Sequence, residues 1–310
     1  MDIQFFLAAN SGRGFYSCYE DFPGAAFLHI LKGGPGTGKS SFLKRIRERA
    51  AARGLDTESI RCSGDPDSLD GLLIPALGLA WADGTAPHVL EPRVFDVDGD
   101  YVNLGRFCRR LNGPAVDRAR GLNSMYKARY REAYALLRGA LAIEEAGRNA
   151  GEQEPAISLI RRSLEQQPNP VEGKGGEERR FLSAISCKGL FHLEETEKML
   201  CKQMISLPNS VSLEEAARQA AGRGLRRIRC LQPLDPARME ALLLPELALG
   251  FRLEVPERRE TALYDAVLGQ AMERLREAKA LHDELEAVYR PFVDFEALTA
   301  FTEEYLDGLF

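Results

Sequence analysis

Residues 27–41 read Phe27-Leu28-His29-Ile30-Leu31-Lys32-Gly33-Gly34-Pro35-Gly36-Thr37-Gly38-Lys39-Ser40-Ser41. An apolar run of strand character passes into a glycine-rich turn. The turn passes into a segment, 40–53, where Phe42, Leu43, Ile46 and Ala50 recur at helical spacing. Residues 33–40 have the form G-x4-G-K-S, and each position has a mechanical reason. Glycines let backbone N–H groups curl around phosphate oxygens in conformations other residues resist. The following helix turns its positive N-terminal end toward the same anion. On this reading Gly33, Gly34, Pro35, Gly36, Thr37, Gly38, Lys39, Ser40 and Ser41 bind the phosphates of a nucleoside triphosphate such as ATP. Lys39 reaches the β- and γ-phosphates, and Ser40 ligates Mg²⁺. A turn that is merely glycine-rich is the competing reading, and the strand before it and the helix after it argue against that.

A phosphate loop of this kind needs an acidic partner at the end of a neighbouring strand. Leu77-Gly78-Leu79-Ala80-Trp81-Ala82-Asp83 is an apolar run ending in a carboxylate, so Asp83 is expected beside Mg²⁺, with Lys39 and Asp83 as the catalytic pair. A turn-forming aspartate before Gly84 is the alternative. Because Gly84 follows, rather than a glutamate, the water-orienting base is unassigned. Asp65, Asp67 and Asp70 lie just beyond the strand candidate 57–62 and are read either as groups orienting water or an acceptor hydroxyl, or as an Asp-Pro turn. Thr85 and His88 are candidates for sensing the γ-phosphate, and Asn10, Ser11 and Tyr16 for touching base or ribose. Phe15 and Tyr16 have packing as their competing role. Arg106, Arg109 and Arg110 are left outside the site.

Residues 3–9, 26–32 and 57–62 read as strands, with further apolar runs at 72–74 and 77–82, and Gly54 stops the helix 40–53. Alternation of strand and helix predicts an α/β fold, a parallel sheet with covering helices. Long helical patterns follow at 114–146 and 261–289. They read as buried helices or as coiled-coil arms able to engage a protein partner. The stretch 166–178, rich in Pro, Gly and charge, reads as a linker. It separates a nucleotide-binding domain over 1–165, with a helical arm near 114–147, from a second unit over 179–310.

That second unit repeats the first. Residues 6–14 (FLAANSGRG) match 181–189 (FLSAISCKG) at an offset of 175, with five identities. Leu43, Ala50, Ala51, Arg53, Gly54 and Leu55 recur 170 positions later, as do Asp65-Pro66 and the run 72–79. Ile60-Arg61-Cys62 recurs as Ile228-Arg229-Cys230. Collinear blocks predict a tandem duplication. Five residues are lost across the loop, and at the downstream offset Gly38, Lys39, Ser40 and Asp83 fall on Pro208, Asn209, Ser210 and Leu253. The second copy is therefore read as degenerate and non-binding.

The chain has 310 residues, 45% apolar and 28% charged, enough for a large core without disulfides or structural metal. A net charge of −5 gives no electrostatic case for nucleic acid, and the basic stretches 106–110 and 223–229 read as solvated faces. The six cysteines have no metal-site spacing and read as buried thiols in a reducing compartment. Met1-Asp2-Ile3-Gln4 lacks the start of a signal peptide, and nothing reaches the ~18 apolar residues of a membrane span. A cytoplasmic location is expected.

The segments LKGGPGTGKSSFLKRI, IRCSGDPDSLDGLLIP, LAWADGTAPHVLEP and VNLG, with ALHDELEAVYRPFVDFE later, together resemble a bacterial family of tandem P-loop ATPases, sometimes labelled nucleotide kinases. The resemblance is strongest over 26–105. It implies a P-loop NTPase fold, a nucleotide site at 33–40 and a second motif containing Asp83. The expected activity is Mg²⁺-dependent ATP hydrolysis. A nucleotide-kinase-type phosphotransferase with its acceptor near 65–70, or a nucleotide-gated interaction module, are the alternatives.

Overall fold

The computed structural model describes residues 1–22, 25–87, 89–147, 155–166, 175–254 and 262–310. The strand 26–32 is β4 in a chain order that begins with β1 (Asp2–Phe5), β2 (Ala8–Ser11) and β3 (Gly14–Ser17), and β4 itself spans Phe27–Lys32. Helix α1 (Lys39–Ala52) follows, then β5 (Thr57–Arg61), β6 (Leu69–Ile74), β7 (Leu79–Asp83) and β8 (Gly99–Asn103). The six-stranded sheet has the order β1-β5-β6-β7-β4-β8. Five strands point one way, and β6 runs antiparallel to both neighbours. The fold is therefore α/β with a mixed sheet, which corrects the expectation of a wholly parallel one. Only residues 75–78 join β6 to β7, with Gly78 at φ +66°. A parallel return needs a crossover of a dozen or more residues.

The 3–9 run is also not one strand. It breaks after Phe5 because Phe6 leaves the sheet and exchanges two backbone hydrogen bonds with Phe181, both of 2.9 Å. β2 and β3 then form a separate two-stranded ribbon.

The chain continues through α2 (Pro114–Gly147) and α3 (Ile157–Glu165) to β9 (Glu177–Arg180), β10 (Ser183–Ser186), β11 (Gly189–His192), α4 (Glu194–Leu200) and β12 (Gln203–Leu207). After it come α5 (Ser210–Gly222), β13 (Arg227–Leu231), β14 (Met239–Leu244), β15 (Leu249–Leu253), α6 (Ala262–Tyr289) and α7 (Phe295–Leu309). Most of the stretch read as a linker, 167–174, lies outside the described residues, and β9 begins at Glu177, inside that stretch.

The second sheet has the order β12-β15-β14-β13-β9. Set against β4-β7-β6-β5-β1, it has the same order and the same directions, and the first sheet adds β8. The pairings also correct one alignment made from the sequence. Glu58 faces Leu73 and Ile228 faces Leu243, with a register shift after Ile60 in one sheet and after Cys230 in the other. Position 60 therefore corresponds to 230, and the shared Ile-Arg-Cys triplet is two residues out of register. Likewise Phe27 faces Leu79 and Gln203 faces Leu249. The matched strands thus stand 176 positions apart before the loop and 170 after it, a difference of six, as many as the loop 33–38 contains.

Contacts between the halves come in exchanged pairs. Gly12 N–H donates to the Leu234 carbonyl (2.9 Å), and Cys187 N–H donates to the Gly64 carbonyl (3.1 Å). Arg13 pairs with Asp235 at 3.1 Å, and Lys188 pairs with Asp67. α2 packs along α6, burying Ala133, Leu137 and Ala140 against Leu268, Ala271 and Leu275. α3 lies on α5 of the second sheet, whereas α7 returns to the first half. There Phe42, Leu72 and Trp81 pack with Leu298 and Leu306, and the Trp81 indole donates to the Tyr305 hydroxyl at 2.8 Å. The basic stretch near 223–229 is paired: Arg226 to Glu178, Arg227 to Glu177 and Arg229 to Glu214.

Arg180 is buried at the seam. Its Nε donates to Glu58 Oε1 at 2.9 Å, its Nη2 to Glu178 and its Nη1 to the Arg179 carbonyl. Removing one member of a buried pair strands the other charge in a poor solvent. Glu58→Ala should therefore lower unfolding free energy by about 3 kcal/mol. Lys198→Ala, on an exposed pair with Glu194 and Glu195, should leave it unchanged. Denaturant midpoints check both.

Candidate functional site

The loop 33–38 lies between the end of β4 and the start of α1. Its backbone does what only glycine does cheaply: Gly36 and Gly38 sit at φ +70° and +82°, and Gly38 caps α1 in the left-handed conformation. Thr37 is buried, and its hydroxyl donates to the Gly34 carbonyl at 2.8 Å. A side chain on Gly33 would collide with that hydroxyl, 2.4 Å from where its Cβ would stand. Lys39 folds back over the loop and donates to the Gly33 and Gly34 carbonyls at 2.8 and 3.1 Å.

Because β4 and β7 are parallel neighbours with Leu31 facing Asp83, Asp83 is brought to the mouth of the loop. Its Oδ2 stands 3.7 Å from Lys39 Nζ, and the two side chains are 15% and 13% exposed. Its Oδ1 accepts from the Thr85 backbone N–H (2.8 Å) and hydroxyl (2.6 Å). Burial pushes the Asp83 carboxyl above the usual range, against the pull of Lys39 and the Thr85 hydrogen bonds. Ser40 Oγ accepts from Leu69 N–H at 3.0 Å, which ties the start of α1 to β6. Asp70, the next residue on β6, is buried and lines the same cavity, as does the exposed Ser41.

The cavity has a volume of about 750 Å³. The loop and Asp83 form one wall. The others come from Asp65 and Asp70, from Asn123, Tyr126, Lys127 and Tyr130 on α2, and from Lys279, His282, Asp283 and Glu286 on α6, with Arg290 beyond. His282 lies against Tyr126, ring centroids 5.4 Å apart, and burial holds its imidazole below the usual value. Burial also pushes the Tyr126 phenol up to about 12. Glu286 Oε1 accepts from Gly36 N–H at 3.2 Å.

Several expected contributors stand elsewhere. Asn10 is buried between the halves, where its amide donates to the Ser63 and Ile185 carbonyls and it accepts from Tyr134. Ser11 donates to the Gly14 carbonyl, and Tyr16 packs on Phe181. None of the three lines the cavity that contains the loop. Asp67 pairs with Lys188 and accepts no part in the cavity wall, while its N–H donates to Asp65 Oδ1 in the turn geometry. Asp65 lines the cavity and faces Lys279 at 3.4 Å. His88 lies outside the described residues. The α2 and α6 residues carried no motif and were missed, and the His282-Asp283-x-x-Glu286 spacing, which puts three polar groups on one helical turn, is the signal that was there.

In the second half β12 ends at Leu207 and α5 starts at Ser210, leaving Pro208 and Asn209 between them. Asn209 caps that helix, accepting from Ser212 N–H at 2.8 Å and from the Ser212 hydroxyl at 2.7 Å, while Arg238 donates to Ser210 Oγ at 2.9 Å. This helix terminus meets its own side chains instead of a loop.

No family model, curated protein or solved structure matches this chain. No helix among the described residues is long and apolar enough to cross a membrane.

A carboxyl held above its ordinary value costs folding energy wherever it is ionised, and the cost disappears as pH falls through the unfolded value of 3.8. Asp83→Asn should therefore be more stable than the parent at neutral pH. The advantage should shrink and vanish on acidification toward that value, as measured by denaturant midpoints across the range.

Proposed function

We propose that the chain is a P-loop nucleoside-triphosphatase, built as a tandem duplication, that binds Mg-ATP in its first half and hydrolyses it. The observation that carries this reading is the Lys39–Asp83 approach of 3.7 Å at the mouth of a left-handed glycine loop. A cation, a loop with two glycines at positive φ and a carboxylate side by side support that reading, since a triphosphate and its metal call for these groups together. The resemblance to tandem P-loop ATPases belongs to the same reading. So does the matching strand order of the two sheets, with the loop deleted from the second.

The donor set suits Mg²⁺, since Ser40 and Asp83 offer hard oxygens and Asp83 Oδ2 is turned toward the loop. When bound, the ion would neutralise charge on the phosphates. The chain's own part is positioning. Loop N–H groups and the α1 terminus take phosphate oxygens. Lys39 exchanges its Gly33 and Gly34 carbonyls for phosphate, and Thr85 holds Asp83 in place. Such catalysis consists mainly of alignment and preorganised charge. A phosphotransferase is the second reading. It is favoured by the cavity's extension to Asn123, Tyr126 and Tyr130, which leaves room for an acceptor.

Lys39→Ala should weaken Mg-ATP binding by roughly 10- to 100-fold, the loss expected for one charge-assisted contact, while the fold persists. Titration calorimetry should give one site per chain. Asp83→Asn should lower the Mg²⁺-dependent share of that binding. Unaltered binding in Lys39→Ala, or two equivalent sites, would defeat the reading. Acceptor-stimulated turnover across a nucleotide panel would favour the phosphotransferase.

A further inference from the structure

The loop already holds an anion, and it comes from the other half of the molecule. Glu286 lies on the turn of α6 that covers the loop, and its Oε1 accepts from Gly36 N–H at 3.2 Å. The covering is close: a Cβ on Gly36 would stand 3.3 to 3.5 Å from Glu286 atoms, and one on Gly34 would stand 3.9 Å from the Tyr289 ring. Gly36 belongs to the run of N–H groups that would face phosphate. A backbone N–H offers one hydrogen, and two anionic acceptors placed on it repel each other at short range.

We infer that Glu286 is a resident anion of the phosphate loop, that a triphosphate binds by displacing it, and that α6 thereby senses whether the loop is occupied. The inference rests on the nucleotide reading above and adds to it a role for the second half. The displaced carboxylate has a place to go. The Glu286 side chain is 43% exposed, so one rotamer change carries its carboxylate into solvent and frees Gly36. The effect need not stop at that side chain. α6 packs along α2, and Ile185 and Leu234 of the second half join the core between these helices. A shift of the covering turn would be felt on both sides of the seam.

The test uses the full chain, with Mg-ATP and inorganic tripolyphosphate as probes in titration calorimetry. Glu286→Gln keeps the shape of the side chain and removes its charge. It should bind both probes more tightly, by about threefold to tenfold, the order of one charged hydrogen-bond partner. Glu284→Gln removes a carboxylate from the same stretch of α6 but outside the cavity, where it pairs with Arg118, and should leave both affinities within about twofold. Hydrogen exchange adds a second readout. Tripolyphosphate should increase exchange over residues 282–290 of the parent while protecting 33–40, and Glu286→Gln should already exchange fast over 282–290. Equal or weaker binding by Glu286→Gln overturns the inference, as does equal tightening by Glu284→Gln, because general charge would then explain the gain. In either case the nucleotide reading stands, provided the parent binds. If parent and variants bind neither probe, the nucleotide reading itself falls.

Discussion

The exchange of two backbone hydrogen bonds between Phe6 and Phe181 sets the relation of everything else. Two sheet-bearing halves meet there head to head, and the paired contacts of Gly12 with Leu234 and of Cys187 with Gly64 extend the seam. Across the same seam α2 packs along α6, and the end of α6 lies against the loop 33–38. The cavity is consequently built by both halves, although its loop belongs to one.

The same arrangement explains where stability is given up. Asp83 is kept in a poorly hydrated position that burial alone disfavours, and Gly36 and Gly38 spend conformational entropy to hold positive φ. The second half makes the opposite choices. Asn209 caps α5 in the ordinary way, and Arg238 covers Ser210. Two halves with one strand order thus differ at the turn between the matched strand and helix.

Much of this was legible in the residues. The loop, its helix and the carboxylate of Asp83 obey local rules, because a strand, a glycine turn and a helix start are each written within a few positions. The direction of β6 was not legible from apolar runs, since alternation says nothing about which way a strand points. The length of the 75–78 connection did contain that information. Phe6 looked like part of a strand because its partner, Phe181, lies in the other half. Asn10 and Tyr16 drew attention as polar groups near the loop in sequence, yet the Phe6 break carries them to the seam. The contributions of Tyr126, His282 and Glu286 were hidden for a different reason: a long amphipathic helix shows which of its faces is apolar but not what its polar turn will meet.

The return of α7 to the first half has a consequence for synthesis. Trp81 and Tyr305, joined by a hydrogen bond, are 224 residues apart. The cluster that Phe42 of α1 forms with Leu72 and Trp81 of the first sheet lacks its α7 cover while the whole second half is being translated. At elongation rates of about 5–20 residues per second, a nascent chain carries that cluster without α7 for tens of seconds. The first half leaves the ribosome early but is finished late, and chaperone dependence would fall on it, not on the half made after it.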